Sequence, residues 1–128
     1  MVGGMRLRME QEDLTYQING AIYEVNRVLG PGFLEKVYEN ALLAELKQRG
    51  MQAESQVPIR IDYKGISVGE YYADIVVERK IILELKTTDF LLKIHEAQLL
   101  NYLKATGYKV GLLINFTDPK AEIKRFIV

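Results

Sequence analysis

The feature that most constrains this chain is a change of hydrophobic period at Gly50. Before it, Leu14, Ile18, Ala21, Ile22, Val25, Val28 and Leu29 recur at intervals of three and four, which predicts an amphipathic helix over 13–29. Gly30-Pro31-Gly32 ends that helix, and Leu34, Val37, Tyr38, Ala41, Leu42 and Leu46 predict a second over 32–49, with Gly50 as its C-terminal cap. Beyond Gly50 the period drops to two. Val57, Ile59, Ile61 and Tyr63 alternate with polar neighbours up to a Lys64-Gly65 turn, the pattern of a half-buried strand. Strands over 68–77 and 81–86, joined by the tight Glu78-Arg79-Lys80 connection, extend this into an antiparallel meander of three. A helix over 92–106 then leads to a continuous apolar run over 108–116, which suits a strand buried on both faces. A short strand over 123–127 follows.

Composition excludes most chemistries. The 128 residues make one domain, read here as 11–128 behind a flexible N-terminus over 1–10. Without cysteine, the chain has no disulfide framework, zinc-thiolate cage or cysteine nucleophile. His95 is the single histidine, and Ser55 and Ser67 are not in a G-x-S-x-G elbow, so paired-histidine zinc sites and that serine chemistry are excluded. Any metal must be held mainly by oxygen. The opening residues carry no apolar signal region, and no run approaches the roughly 20 apolar residues that span a bilayer, so the expectation is a cytoplasmic protein with no membrane partner. Seventeen basic and 17 acidic side chains give zero net charge, so no global positive field announces nucleic acid.

Within the meander, Asp74 interrupts the apolar and aromatic run Tyr71-Tyr72-Ala73-Asp74-Ile75-Val76-Val77. A buried carboxylate needs a partner or a metal. The next strand, Ile81-Ile82-Leu83-Glu84-Leu85-Lys86, puts Glu84 and Lys86 on one face and Leu83 and Leu85 on the other. Across a tight turn, Asp74 can lie opposite Glu84, which brings two carboxylates and an ammonium together. Two carboxylates suit a hard cation such as Mg²⁺ or Mn²⁺, and the lysine can orient or deprotonate an attacking water. Phosphodiester hydrolysis fits these groups best. The plain alternative is a solvated Glu84–Lys86 pair with Asp74 at a sheet edge.

Asp74 followed by Glu84-Leu85-Lys86 resembles the D…E-x-K signature of the PD-(D/E)XK nuclease superfamily, and Gly32-Phe33-Leu34-Glu35-Lys36-Val37-Tyr38 resembles the motif that names the GxxExxY protein family within it. With the helix containing His95, Gln98 and Tyr102 and the strand Gly111-Leu112-Leu113-Ile114-Asn115-Phe116, the likeness covers 14–128. It implies an α/β, restriction-endonuclease-like core of order α-α-β-β-β-α-β-β, with a mixed central sheet flanked by helices. It further implies Asp74 and Glu84 as metal ligands, Lys86 as the catalytic lysine, and Glu35 as a further acidic ligand or water holder. Gln98 and Tyr102 reproduce the Q-x-x-x-Y pattern of RecB-like exonucleases, which implies support for the site.

Each of these residues also has a plainer reading. Glu35 could interact with its helix dipole, Tyr38 could simply pack in the core, Tyr102 could pack beside an incidental Gln98, and His95 could be a hydrogen-bonded residue near a helix start. Lys93, Lys104, Lys109, Lys120, Lys124 and Arg125 read as a solvated surface before they read as a basic rim. The expected activity is metal-dependent nuclease chemistry on nucleic acid, DNA before RNA, with a homodimer as one way to strengthen binding. The rivals are a silent binding or assembly module of the same fold, and a small-molecule phosphoesterase.

Overall fold

The computed structural model describes the backbone of residues 2–128 and the side chains from residue 12 onward; residues 2–10, expected as part of a flexible N-terminus, lie within the first helix, which begins at Val2, ahead of the 13–29 span expected for it. The elements are α1 (Val2–Leu29), α2 (Glu35–Gln48), β1 (Ala53–Tyr63), β2 (Ile66–Val77), β3 (Ile81–Lys86), α3 (Lys93–Thr106), β4 (Val110–Asn115) and β5 (Glu122–Ile127). The strands form one sheet in chain order. β1, β2 and β3 are the antiparallel meander, β3 and β4 pair in parallel through the α3 crossover, and β5 returns antiparallel. This is the mixed sheet flanked by helices that the motifs imply.

Both turns of the meander explain its tightness. Lys64 and Gly65, and likewise Glu78 and Arg79, have positive φ, the primed geometry that follows the twist of paired strands. Period-2 alternation then sorts β3 between two cores. Ile81, Leu83 and Leu85 pack with Ile18, Ile22, Tyr38 and Leu42 on the α1/α2 side, while Ile82 joins Leu99, Tyr102 and Leu103 on the α3 side. β4 is buried throughout, as its apolar run predicts. α3 comes so close that a Cβ at Gly111 would lie 2.9 Å from Leu99 Cδ1, so only glycine fits there without rearrangement.

Three local expectations need correction. Leu34, expected on the buried stripe of the second helix, is 78% exposed; α2 starts at Glu35, and Leu34 is its extended N-cap. Val28 is also exposed, because the core stripe of α1 ends with Val25 and a partly buried Leu29. β1 starts at Ala53, earlier than its alternation suggests, because Gln56 has φ +51° and drops out of the ladder between Ser55↔Ile75 and Val57↔Ala73. Ala53 packs on the α1/α2 side but Ile59 and Ala73 on the α3 side. An even spacing along a regular strand would keep them on one face, so the hairpin changes faces at this skipped rung.

Candidate active site

The skipped rung lies beside Asp74, and the β2–β3 ladder stops at the same level, its last pair being Ile75↔Leu83. Side chains take over where backbone pairing ends. The Asp74 N–H donates to Glu84 Oε1 at 3.0 Å, and the Leu85 N–H donates to Asp74 Oδ2 at 2.8 Å. Each carboxylate is thus fixed by the opposite strand. Glu84 is only 4% exposed, which disposes of the solvated-pair alternative for this residue.

Crowding and burial disfavour the charged forms here. Desolvation, reinforced by the Asp74 charge, pushes Glu84 up from 4.5 to about 8. Asp74 is raised by desolvation and by Glu39, against the opposing hydrogen bond from Leu85. Desolvation followed by Asp74 also raises Glu35, while Lys86 opposes the shift. Lys86 makes no direct ion pair among the described residues, yet its charge acts on Glu35, Asp74 and Glu84. Its ammonium is therefore not committed to a single carboxylate. The end of β3 is held by its parallel neighbour: the Phe116 N–H donates to the Lys86 carbonyl at 2.9 Å. Buried Asn115 accepts from the Thr88 N–H and donates to the Thr88 carbonyl, at 3.0 and 2.8 Å.

The other expected residues fall into two groups. Gln98 Nε2 donates to Tyr102 Oη at 2.9 Å, and the Tyr102 phenol, pushed up to about 12 by desolvation and then by Glu84, sits within the field of the site. These two stand beside the carboxylates. Tyr38 does not face them as a reactive group: it is 1% exposed, donates to the Gly30 carbonyl at 2.5 Å, accepts from the Phe33 N–H at 3.3 Å and stacks on Phe116 with ring centroids 4.7 Å apart. It ties down the α1–α2 connection, where Gly32 has φ +101°, and so sets where Glu35 begins its helix. His95 accepts from the Leu92 N–H through Nδ1 at 3.1 Å and caps α3. Of the six basic residues, two are engaged by neighbours. Lys124 pairs with Glu96 at 3.1 Å, and Lys120 sits over the Tyr23 ring, 4.5 Å from its centroid.

The oxygen-only donor set suits a hard divalent cation, and the half-buried Asp74 and buried Glu84, both of raised pKa, would gain from one. Among the described residues no three Asp, Glu, His or Cys side chains gather into a metal-holding group.

Comparison with known proteins agrees with the fold. The family model for the PD-(D/E)XK nuclease superfamily matches residues 12–126. The chain belongs to this superfamily. Among solved structures, the crystal structure of SSO0001 superposes with a TM-score of 0.60 at 24% identity, covering 73% of this chain and 50% of that one. The chain thus spans about half the length of SSO0001, and the likeness is one of fold. No curated protein matches. No helix among the described residues is long and apolar enough to cross a membrane.

Two neighbours of the candidate site escaped the sequence reading. Glu39, one helical turn after Glu35, is 3% exposed; it accepts from Lys36 Nζ at 2.6 Å and from Gln56 Nε2 at 2.9 Å. Gln56, the residue out of the ladder, also favours the charged form of Asp74. For Glu39 a signal existed, since its i, i+4 spacing places it on the Glu35 face. For Gln56 the sequence carries none.

Proposed function

We propose that the protein is a divalent-metal-dependent phosphodiesterase that cleaves nucleic acid, DNA before RNA. Within the superfamily, its G-x-x-E-x-x-Y segment assigns it to the GxxExxY group. The observation that carries this reading is the cross-strand exchange at Asp74 and Glu84, which presents a half-buried and a buried carboxylate beside a lysine that makes no ion pair among the described residues. Asp74 and Glu84 would hold Mg²⁺ or Mn²⁺. Such an ion neutralises charge on the phosphate and acidifies water. Lys86 positions the water or takes its proton, Glu35 orients water from the edge of the acidic pair, and Gln98 with Tyr102 keeps the site's flank in place. Labelled single- and double-stranded DNA and RNA, incubated with Mg²⁺ or Mn²⁺, test the reading. Wild-type protein should cleave and Lys86→Ala should not; equal cleavage by both would exclude this site.

Zero net charge and the lack, among the described residues, of three acidic or imidazole side chains gathered around one point favour a second reading, a binding or assembly module that retains the site without turnover. Calorimetric titration with Mn²⁺ separates the two: heat of metal binding without cleavage of any polymer supports the module. Cleavage of nucleotides but not polymers would point instead to a small-molecule phosphoesterase. A second copy of the chain could add the phosphate contacts that one neutral copy lacks.

A further inference from the structure

Next to the carboxylates lies a groove of about 820 Å³ between α3 and the outer half of the β1–β2 hairpin. Tyr102 is the shared wall: its ring lines the groove, while the charges of Glu84 and Asp74 reach its hydroxyl. Across from it, Tyr71 is 50% exposed, and the two ring centroids are 5.6 Å apart at 45°. An aromatic face left open to solvent beside a candidate phosphodiesterase site needs an explanation, because such faces stack bases.

The polar lining narrows the occupant. Gln98 and Asn101 present amides from α3, groups that bond the edges of an unpaired base. Charge is the second filter. The groove's charged lining is one acid and one base, Asp62 and Lys104, and Asp62 is already held by Arg60 at 2.7 Å, so the walls carry no row of cations to hold a phosphate chain, whereas a neutral base meets no repulsion. The volume is that of a small-molecule pocket and does not admit a duplex. Zero net charge strengthens the argument, because a protein without a basic footprint must draw nucleic-acid affinity from contacts other than phosphate.

We propose that this groove seats one unpaired base of a single-stranded nucleic acid on the Tyr71 ring, placing the adjoining phosphodiester at Asp74, Glu84 and Lys86. The proposal rests on the nuclease reading and adds its substrate class: single strands or frayed ends.

Fluorescence anisotropy in EDTA, with labelled single-stranded DNA and RNA and a hairpin duplex as probes, tests it without turnover. Wild-type protein should bind a single strand more tightly than the duplex. Tyr71→Ala should weaken single-strand binding about ten-fold, as loss of one base stack predicts, and Tyr71→Phe should restore it, since the ring face and not the hydroxyl is used. Duplex binding should not respond to either change. Wild-type protein that binds no single strand, Tyr71→Ala that binds like wild type, or Tyr71→Phe as weak as Tyr71→Ala would each overturn the proposal. If Tyr71→Ala loses binding while Lys86→Ala leaves cleavage intact, the groove stands and the assigned catalytic site fails; the reverse pattern sinks the groove alone.

Discussion

The two ends of the β2–β3 pair are built from the same two strands and do opposite things. At the turn end, Val77↔Ile81, Val76↔Ile82 and Ile75↔Leu83 are ordinary backbone pairs with apolar side chains on both faces. At the open end the next pair is replaced by carboxylates that bond the opposing backbone. The closed end is apolar on both faces and stabilises the fold. The open end holds a half-buried and a buried acid that resist ionisation, and so works against stability.

The division can be broken by exchanging damage between the ends. Lys86→Ala at the open end should lower metal-dependent cleavage by roughly 10²–10⁴-fold, the range for losing a group that moves or positions a proton, with little change in melting temperature. Leu83→Ala at the closed end should remove about 2–5 kcal/mol of stability, measured by urea unfolding, yet leave cleavage per folded molecule near wild type. A Leu83→Ala protein that folds well but does not cleave would show that the two ends are not separable.

How far the sequence discloses this division follows from the range of the interactions involved. The closed end is local: β3 was expected over 81–86 and occurs there, because its alternation and its turn both lie within a few residues. Asp74, Glu84 and Lys86 were legible for the same reason, as a tight turn fixes their relative height. The rest depends on contacts that no short window contains. Gln56 matters because α2 delivers Glu39 to it from 17 positions away, and its positive φ broke the alternation that was to mark the start of β1. Leu34 was misplaced because a helical period continues into an N-cap whose extended backbone is set by the preceding turn.

Proton linkage should also distinguish the ends. Glu84 is raised from 4.5 to about 8, chiefly by burial, and Asp74 and Glu35 are raised as well. A group whose pKa is higher in the folded than in the unfolded protein binds more protons when folded, so its contribution is complete below the unfolded value and is lost as pH rises through the folded one. Metal-free protein should therefore lose melting temperature between pH 4.5 and about 8. Glu84→Gln should flatten that slope, Leu83→Ala should lower the whole curve without flattening it, and Mg²⁺ at the alkaline end should recover part of the loss by binding the folded state. A slope unchanged in Glu84→Gln would mean that the open end is not the source of the pH dependence.

The smallest effect, and the most discriminating, is expected at Gln56. Its backbone is held at φ +51°, a conformation that disfavours side-chain-bearing residues by about 1–2 kcal/mol, and its amide bonds Glu39 at 2.9 Å while favouring charged Asp74. Backbone strain and side-chain contact can be separated by two substitutions. Gln56→Ala keeps the strain and loses the hydrogen bond, so stability should fall by about 0.5–1.5 kcal/mol. Gln56→Gly loses the bond but relieves the strain; because glycine's freer unfolded chain offsets about 0.4–1 kcal/mol of that relief, it should be at least as stable as Gln56→Ala. Both should bind Mn²⁺ more weakly than wild type in calorimetry, since Asp74 then ionises less readily. If Gln56→Gly regains stability and metal affinity together, the amide has no part in the site and the skipped rung alone shapes the open end.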